Sequence, residues 1–360
     1  MATPTRVALI GCGYFAEFHR EAWHRLSDAE LVGVCDRDEA KARAFAERTA
    51  GIRAYADAAN LLDEIRPDLV DIATPPASHL GLVKLAAERA IPVICQKPLA
   101  PTFAEAEALV ETAEAGGIAL VVHENIRFAP WHQEIHRLIQ AGRLGRPHTI
   151  AKRLRPGDGQ GPDAYLARQP YFQTMERFLV HETAIHWIDT FRFLMGEVTG
   201  VFARLRRLNP AIRGEDAGVI LFEFAGGGSG VFDGNRLNEH VSDNLRRTMG
   251  ELWVEGEAGV VRLAGSGRLF FKPHGGAERE HDYAWADRHF AGDAVYATQR
   301  YILQQLRAGT TPANGGRADL RGDAVMFEHR RGGDGRLVDA ALAVVERAEP
   351  EHGRDAALHP

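Results

Sequence analysis

The chain has 360 residues, 45% of them hydrophobic and 26% charged, with a formal net charge of −6. That length suffices for two domains of ordinary size, and the acidic balance argues against a nucleic-acid or anionic-membrane partner. No apolar run approaches a membrane span, and residues 1–6 lead into an apolar strand without the charge-then-apolar pattern of a signal peptide. The three cysteines, Cys12, Cys35 and Cys95, match neither a zinc site nor a disulfide framework, so a reducing cytoplasm is the expected setting.

From Thr5 to about Glu124, strands and helices alternate as βα units. The expected strands are Val7–Ile10, Leu31–Cys35, Leu69–Ala73, Val93–Gln96 and Ala119–His123. Their near-continuous apolar character suits a parallel sheet covered on both faces. Amphipathic helices are expected at Glu39–Arg48, Ala58–Ile65 and Phe103–Ala115. Thr102 and Glu105 form a capping box for the last of these, and Gly116-Gly117 stops it.

The first turn reads Gly11-Cys12-Gly13-Tyr14-Phe15-Ala16, a G-x-G-x-x-A pattern. It follows a strand, opens a helix, and is followed 20 residues after Ala16 by Asp36 at the next strand end. In that context the pattern is a dinucleotide-binding fingerprint: the glycines allow close approach of a pyrophosphate to the helix N-terminus. Asp36 suits the adenosine ribose and repels a 2′-phosphate, favouring NAD over NADP. Arg37 beside it is the residue that would accommodate such a phosphate. The residues that follow the remaining strands, Thr74-Pro75-Pro76, Lys97 and Asn125, belong on the same rim. Thr74 and Pro75 are therefore expected to border the cofactor. Lys97 stands on a turn stiffened by Pro98 and shares an edge with the cofactor loop.

After Pro130 the pattern changes. A helix is expected over Trp131–Ala141, a strand over His148–Leu154, then a long polar loop, Arg155 to Phe178, of the kind that forms lids. A helix from about Glu182 to Met195 precedes strands at Val198–Arg206, Gly218–Phe224, Gly230–Arg236, Leu252–Glu255, Val260–Leu263 and Leu269–Lys272. Gly-rich turns join them, as in a mostly antiparallel sheet. A last helix is expected over Ala291–Arg307. The expected organisation is a Rossmann domain at 1–125, an α+β domain with a large, mostly antiparallel open sheet at 126–310, and a tail at 311–360 whose structure is left open.

His181 and His186 are five residues apart, so on a helix they point about 140° away from each other. That excludes a two-histidine metal site, and no metal is expected. Glu182, His186 and Asp189 share one helical face. A neutral imidazole held by a carboxylate is what a general base near pH 7 requires. Other polar residues near loop or strand ends, Asn125, Arg127, Asp158, Gln160, Asn235 and Arg236, are candidate substrate contacts.

Four segments together resemble the glucose–fructose oxidoreductase/inositol dehydrogenase family (Gfo/Idh/MocA). They are the glycine loop, Ala73-Thr74-Pro75-Pro76-Ala77-Ser78-His79, Gln96-Lys97-Pro98, and Glu182 to Asp189. The resemblance implies an NAD-dependent enzyme acting on a sugar or polyol. It implies catalytic roles for Lys97 and His186, with Glu182 orienting one of them. It adds His79 and Gln96 to the cofactor-side residues, and it implies a homodimer or homotetramer formed through the open sheet. Two positions depart from the family pattern: Gln96 stands where a glutamate is usual, and Glu182 where an aspartate is usual. The segments 155–172 and 204–216 with Gln96-Lys97-Pro98 are also similar to a subfamily that oxidises the branched pentose D-apiose to its lactone. Two alternatives stay open: an NAD-retaining glycosidase or lyase using transient redox, and a non-catalytic NAD- or sugar-sensing regulator.

Overall fold

The computed structural model describes residues 3–328. The first unit runs β1 (Thr5–Ile10), α1 (Ala16–Arg25), β2 (Ala29–Cys35), α2 (Glu39–Ala46), β3 (Arg53–Tyr55), α3 (Ala58–Ile65), β4 (Leu69–Ile72), α4 (His79–Ala87), β5 (Val93–Gln96), α5 (Phe103–Ala115) and β6 (Leu120–His123). The six strands are parallel in the order β3-β2-β1-β4-β5-β6, the doubly wound arrangement whose ligands bind at the carboxyl ends of the strands. Helix starts follow the local chemistry. Asp38 and Asp57 cap α2 and α3 through their carboxylates, and Thr102 caps α5 by accepting from the Glu105 amide. Strand β3 and helix α4 lie outside the expected elements. β3 is three residues long and half-exposed, and α4 begins on a short 3₁₀ turn without a side-chain cap.

The second unit contains α6 (Pro130–Gln140), β7 (Pro147–Leu154), a wide π-type turn (Leu179–Ala184) leading into α7 (Ile185–Met195), β8 (Val198–Arg206), β9 (Ala217–Phe224), β10 (Ser229–Asn235), α8 (Leu245–Thr248), β11 (Gly250–Gly256), β12 (Gly259–Leu263), β13 (Leu269–Pro273) and β14 (Arg279–His281). Its eight-stranded sheet has the order β14-β13-β12-β11-β7-β10-β9-β8, and every neighbouring pair is antiparallel except β7 with β10. One face packs on α6 and α7 through Ile150, Phe222, Phe232, Leu252 and Val261. By register, the other face aligns Phe202, Leu221, Val231, Ala151 and Trp253 in a row across five strands, and Leu221 is 41% exposed.

Two helices return to the first unit. Helix α9 (Ala294–Arg307) places Ile302 and Leu303 in the core beneath β1, and its start is held by the Arg25–Asp293 ion pair at 2.6 Å. The expected boundary at residue 310 therefore does not follow the packing, because α9 closes over the Rossmann sheet. In the tail, residues 314–315 pair with the edge strand β6. Asn314 Nδ2 donates to the Val122 carbonyl at 2.6 Å, and the Val122 amide donates back to the Asn314 carbonyl at 2.8 Å. That contact covers a sheet edge which would otherwise expose unpaired backbone. Helix α10 (Gly316–Glu328) follows and packs between α5 and α7, so this part of the tail is ordered structure; the rest of the expected tail lies outside the described residues. No described helix is long and apolar enough to cross a membrane.

Candidate active site

The rim formed by β1, β4, β5 and β6 faces the second unit across one cleft. Its lining includes Gly13, Tyr14, Phe15, Thr74, Pro75, Gln96 and Lys97 from the first unit, and Asp158, Glu182, Thr183, His186 and Arg236 from the second.

The glycine loop has the geometry a dinucleotide requires. Gly11 adopts φ +106°, and a Cβ there would lie 2.5 Å from the Ala73 carbonyl oxygen, so the loop can hug β4 only with glycine. A Cβ on Gly13 would meet nothing within 4 Å, which leaves backbone open to the cleft. Ala16 is fully buried and packs α1 against the sheet. The Asp36 carboxylate accepts from the Cys12 amide at 3.0 Å and the Asp38 amide at 2.9 Å, which ties the ends of β1 and β2 together. Arg37 is exposed. Cys12, Gly13 and Tyr14 also line an adjoining groove with Lys41 and Arg48. These residues fit NAD: a bare loop for the pyrophosphate and a carboxylate at the next strand end for the ribose.

Lys97 is nearly buried. Its ammonium donates to the Glu182 backbone carbonyl at 2.8 Å and meets the Glu182 carboxylate at 3.1 Å. The π-type turn at Leu179–Ala184 presents both acceptors to one cation; such turns recur at functional sites.

His186 also faces the cleft, but its carboxylate partner is neither Glu182 nor Asp189. Nδ1 hydrogen-bonds Glu124, the buried residue that follows β6. Burial, with the Lys97 cation nearby, pushes the His186 imidazole well below its ordinary value. Burial and the neighbouring Asp189 push the Glu124 carboxyl well above its own. Two further buried carboxyls from α10 stand close to this pair: Asp319, raised to about 8 by burial and by Asp189, and Asp323, raised by burial and by Asp319. Nothing in the local sequence pairs Glu124 with His186. Only their positions, one after a strand end and one on the facing helix, could have suggested it.

Several expected contacts have other duties. Asp189 and Arg127 form a buried ion pair that joins α7 to the segment after β6, so Arg127 is not a cleft residue. Asn125 is buried and absent from the cleft lining. Gln160 is exposed and donates to the Leu237 carbonyl, while Asn235 caps its own turn by accepting from the Leu237 and Asn238 amides. His79 is fully buried between the Leu99 and Thr74 carbonyls, at 3.0 and 2.8 Å. It therefore holds the Thr74 and Pro98 turns together and makes no cofactor-facing contact. Asp158 and Arg236 do reach the cleft. Arg236 grips Asp158 at 2.6 and 3.1 Å, Arg168 shares that carboxylate at 3.0 Å, and the Arg236 guanidinium lies among Tyr165, Phe172 and Phe178. Burial pushes the Asp158 carboxyl up, but the two guanidiniums outweigh it and hold it below its ordinary value.

A doubly wound parallel sheet with a glycine fingerprint, bordering a cleft that holds a lysine and a carboxylate-bound histidine, defines an NAD-binding oxidoreductase. Comparison with known proteins agrees. The family model described as "Oxidoreductase family, NAD-binding Rossmann fold" matches residues 5–124, and that of the "GFO/IDH/MocA C-terminal domain" matches 132–262. The chain belongs to the GFO/IDH/MocA family. The D-apiose dehydrogenase of Paraburkholderia graminis is 36% identical over 322 residues, covering 87% of this chain and 84% of that protein. The D-apiose dehydrogenase of Rhizobium rhizogenes is 32% identical over 344 residues, covering 94% and 98%. Among solved structures, an oxidoreductase from Agrobacterium radiobacter in complex with NAD+, L-tartaric acid and magnesium superposes with a TM-score of 0.84 at 30% identity, covering 94% of this chain and 99% of that one.

The glycine loop makes a direct prediction. Gly11→Ala forces a side chain into the Ala73 carbonyl in a backbone region that costs alanine about 1–3 kcal/mol. Calorimetric titration should show NAD affinity lowered roughly 5- to 150-fold, with the circular dichroism spectrum unchanged. Wild-type affinity in the variant would contradict the assignment of this loop.

Proposed function

We propose that the protein is a sugar dehydrogenase that oxidises the anomeric hydroxyl of an aldose to the lactone, with D-apiose as the leading substrate. The observation that carries this reading is the meeting of Lys97 and His186, from two different units, in one cleft beside the glycine loop. The D-apiose assignment draws on the two D-apiose dehydrogenases that align over most of the chain. Bound NAD supplies the hydride acceptor.

The residues divide the remaining work. An ammonium has three N–H donors; two of those on Lys97 are directed at Glu182, and the third is available to the substrate oxygen as it becomes an alkoxide. His186 removes the hydroxyl proton at Nε2, since Nδ1 is engaged by Glu124. As Nε2 gains that proton, the Nδ1 proton shifts onto the raised Glu124 carboxyl, so no imidazolium is buried beside the lysine. Asp158, Arg236 and Thr183 border the same space and bind the other hydroxyls. Self-association through the outer sheet face completes the reading. The Phe202–Trp253 row is an apolar surface suited to the equivalent row of a second copy.

Lys97→Ala and His186→Ala should each lower kcat by about 10²–10⁴ with NAD still bound. NADH production across aldopentoses, aldohexoses, inositols and D-apiose should be greatest with D-apiose; flat rates for every sugar would end the dehydrogenase reading. The base form of the His186–Glu124 pair holds one proton and is lost when pH falls far enough to protonate Glu124. Because that carboxyl is raised above 4.5, the acid limb of kcat/KM for oxidation should lie above pH 4.5 and disappear in Glu124→Gln. An unaltered limb in that variant would remove Glu124 from the mechanism. Leu221→Asp should lower the sedimentation-derived mass of the full-length chain, whereas a monomeric wild type would dismiss the interface.

A further inference from the structure

Directly beneath the cleft, four polar side chains from α1, β4, β5 and β6 meet without solvent: His19, Asp71, Gln96 and His123 are 0%, 0%, 7% and 0% exposed. Asp71 Oδ2 accepts from His19 Nδ1 at 2.7 Å, from Trp23 Nε1 at 2.7 Å and from Gln299 Nε2 of α9 at 3.3 Å. A carboxylate only accepts, so His19 faces Asp71 with its proton on Nδ1. The Gln96 amide nitrogen lies 2.9 Å from His19 Nε2 and 3.2 Å from His123 Nδ1, and the two rings stack with centroids 4.1 Å apart. An amide nitrogen has two hydrogens and no acceptor capacity. Both imidazole nitrogens facing it must therefore present lone pairs. Burial pushes His123 well below its ordinary value, in agreement with a neutral ring. Gln96 immediately precedes Lys97, and His123 immediately precedes Glu124.

We propose that Gln96 is a positioning residue: by donating both amide hydrogens, it holds His19 as the Nδ1–H tautomer and His123 as the Nε2–H tautomer, and so fixes the orientation of the two rings that support Lys97 and Glu124. The proposal rests on the roles assigned above to Lys97 and the His186–Glu124 pair. A carboxylate at this position has only acceptors. It would require N–H groups from both imidazoles, and His19, already donating to Asp71, would become an imidazolium between two carboxylates. The titratable groups facing the network are Asp71 from β4, His19 from α1, His123 from β6 and the Cys95 thiol of β5, with His186 on the cleft side; α9 contributes the Gln299 amide. A glutamine therefore adds no titratable group of its own beneath His186 and Glu124.

The test is nitrogen-15 histidine spectroscopy on the full-length protein, combined with steady-state kinetics. Wild type should show the two stated neutral tautomers at the pH of maximal turnover. Gln96→Glu should convert His19 to the doubly protonated form and displace the acid limb of kcat/KM. Gln96→Met, which keeps the length but removes both donors, should lower kcat by about 10–100-fold. In that variant the KM for NAD should change less than about twofold. A doubly protonated His19 in the wild type would mean that the amide presents its oxygen, and would overturn the proposal even if neither variant folds. Wild-type kcat and pH profile in Gln96→Met would overturn it as well. The tautomers are read without turnover, so failure of the dehydrogenase reading would leave a different signature, namely intact tautomers with no effect of Lys97→Ala.

Discussion

The contact between the Lys97 ammonium and Glu182 is the joint on which the cleft depends. It links the end of β5 to the π-type turn that opens α7, and so sets where the second unit stands over the dinucleotide rim. A lysine at the end of a strand ordinarily points its charge into water. Here the side chain is almost enclosed, and a charge so placed is tolerated only with close acceptors. The π-type turn supplies two from a single residue, a backbone carbonyl and a carboxylate. One donor of the ammonium remains for a ligand, which makes the contact a support as well as a tether.

The same logic governs the other buried charges. Arg127 and Asp189 neutralise each other between the β6 exit and α7, and Arg192 binds Glu197 while donating to the Ala318 carbonyl of α10. Arg236 is satisfied by Asp158, Thr183 and three aromatic faces. Glu124, Asp319 and Asp323 are different: they crowd several carboxyls into one dry region, and their common response is to resist ionisation. Helix α10 thus does more than cover an edge strand. It adds two carboxyls behind the histidine's partner, and that raises the proton affinity of the whole cluster.

The parts of this arrangement that could be read in the sequence are those carried by local patterns. The glycine loop, Asp36, the strand ending at Lys97 and the helix bearing His186 each declare themselves within a few residues, and the alternation of elements implies the parallel sheet. What could not be read depends on which strand lies beside which. Glu124 reaches His186, and Gln96 reaches His19 and His123, only because β4, β5 and β6 are neighbours and α7 faces their ends. Arg127 and Asn125 lie away from their expected place for a related reason. A position just past a strand end puts the backbone at the rim but leaves the side chain's direction open, and here both are buried away from the cleft lining. Helix α10 was hidden by its weak propensity: Gly316 and Gly322 interrupt it, yet the close approach of Gly316 to Leu120 is what lets it pack on the sheet edge.

Gln96 and Glu182 are best understood together. A carboxylate at position 96 would place a negative charge beside Lys97 on the same strand, within the network that already contains Asp71. In this chain the counter-charge for Lys97 comes from the opposite side of the cleft, on Glu182. Moving it there has two consequences. The buried network beneath the rim is left with one anion and neutral rings, which suits a low-dielectric interior. The lysine's charge is balanced by a group that belongs to the second unit, so the electrostatics of the site are complete only when the two units are seated together. The ammonium meets both Glu182 acceptors because the turn at Leu179–Ala184 stands over the end of β5.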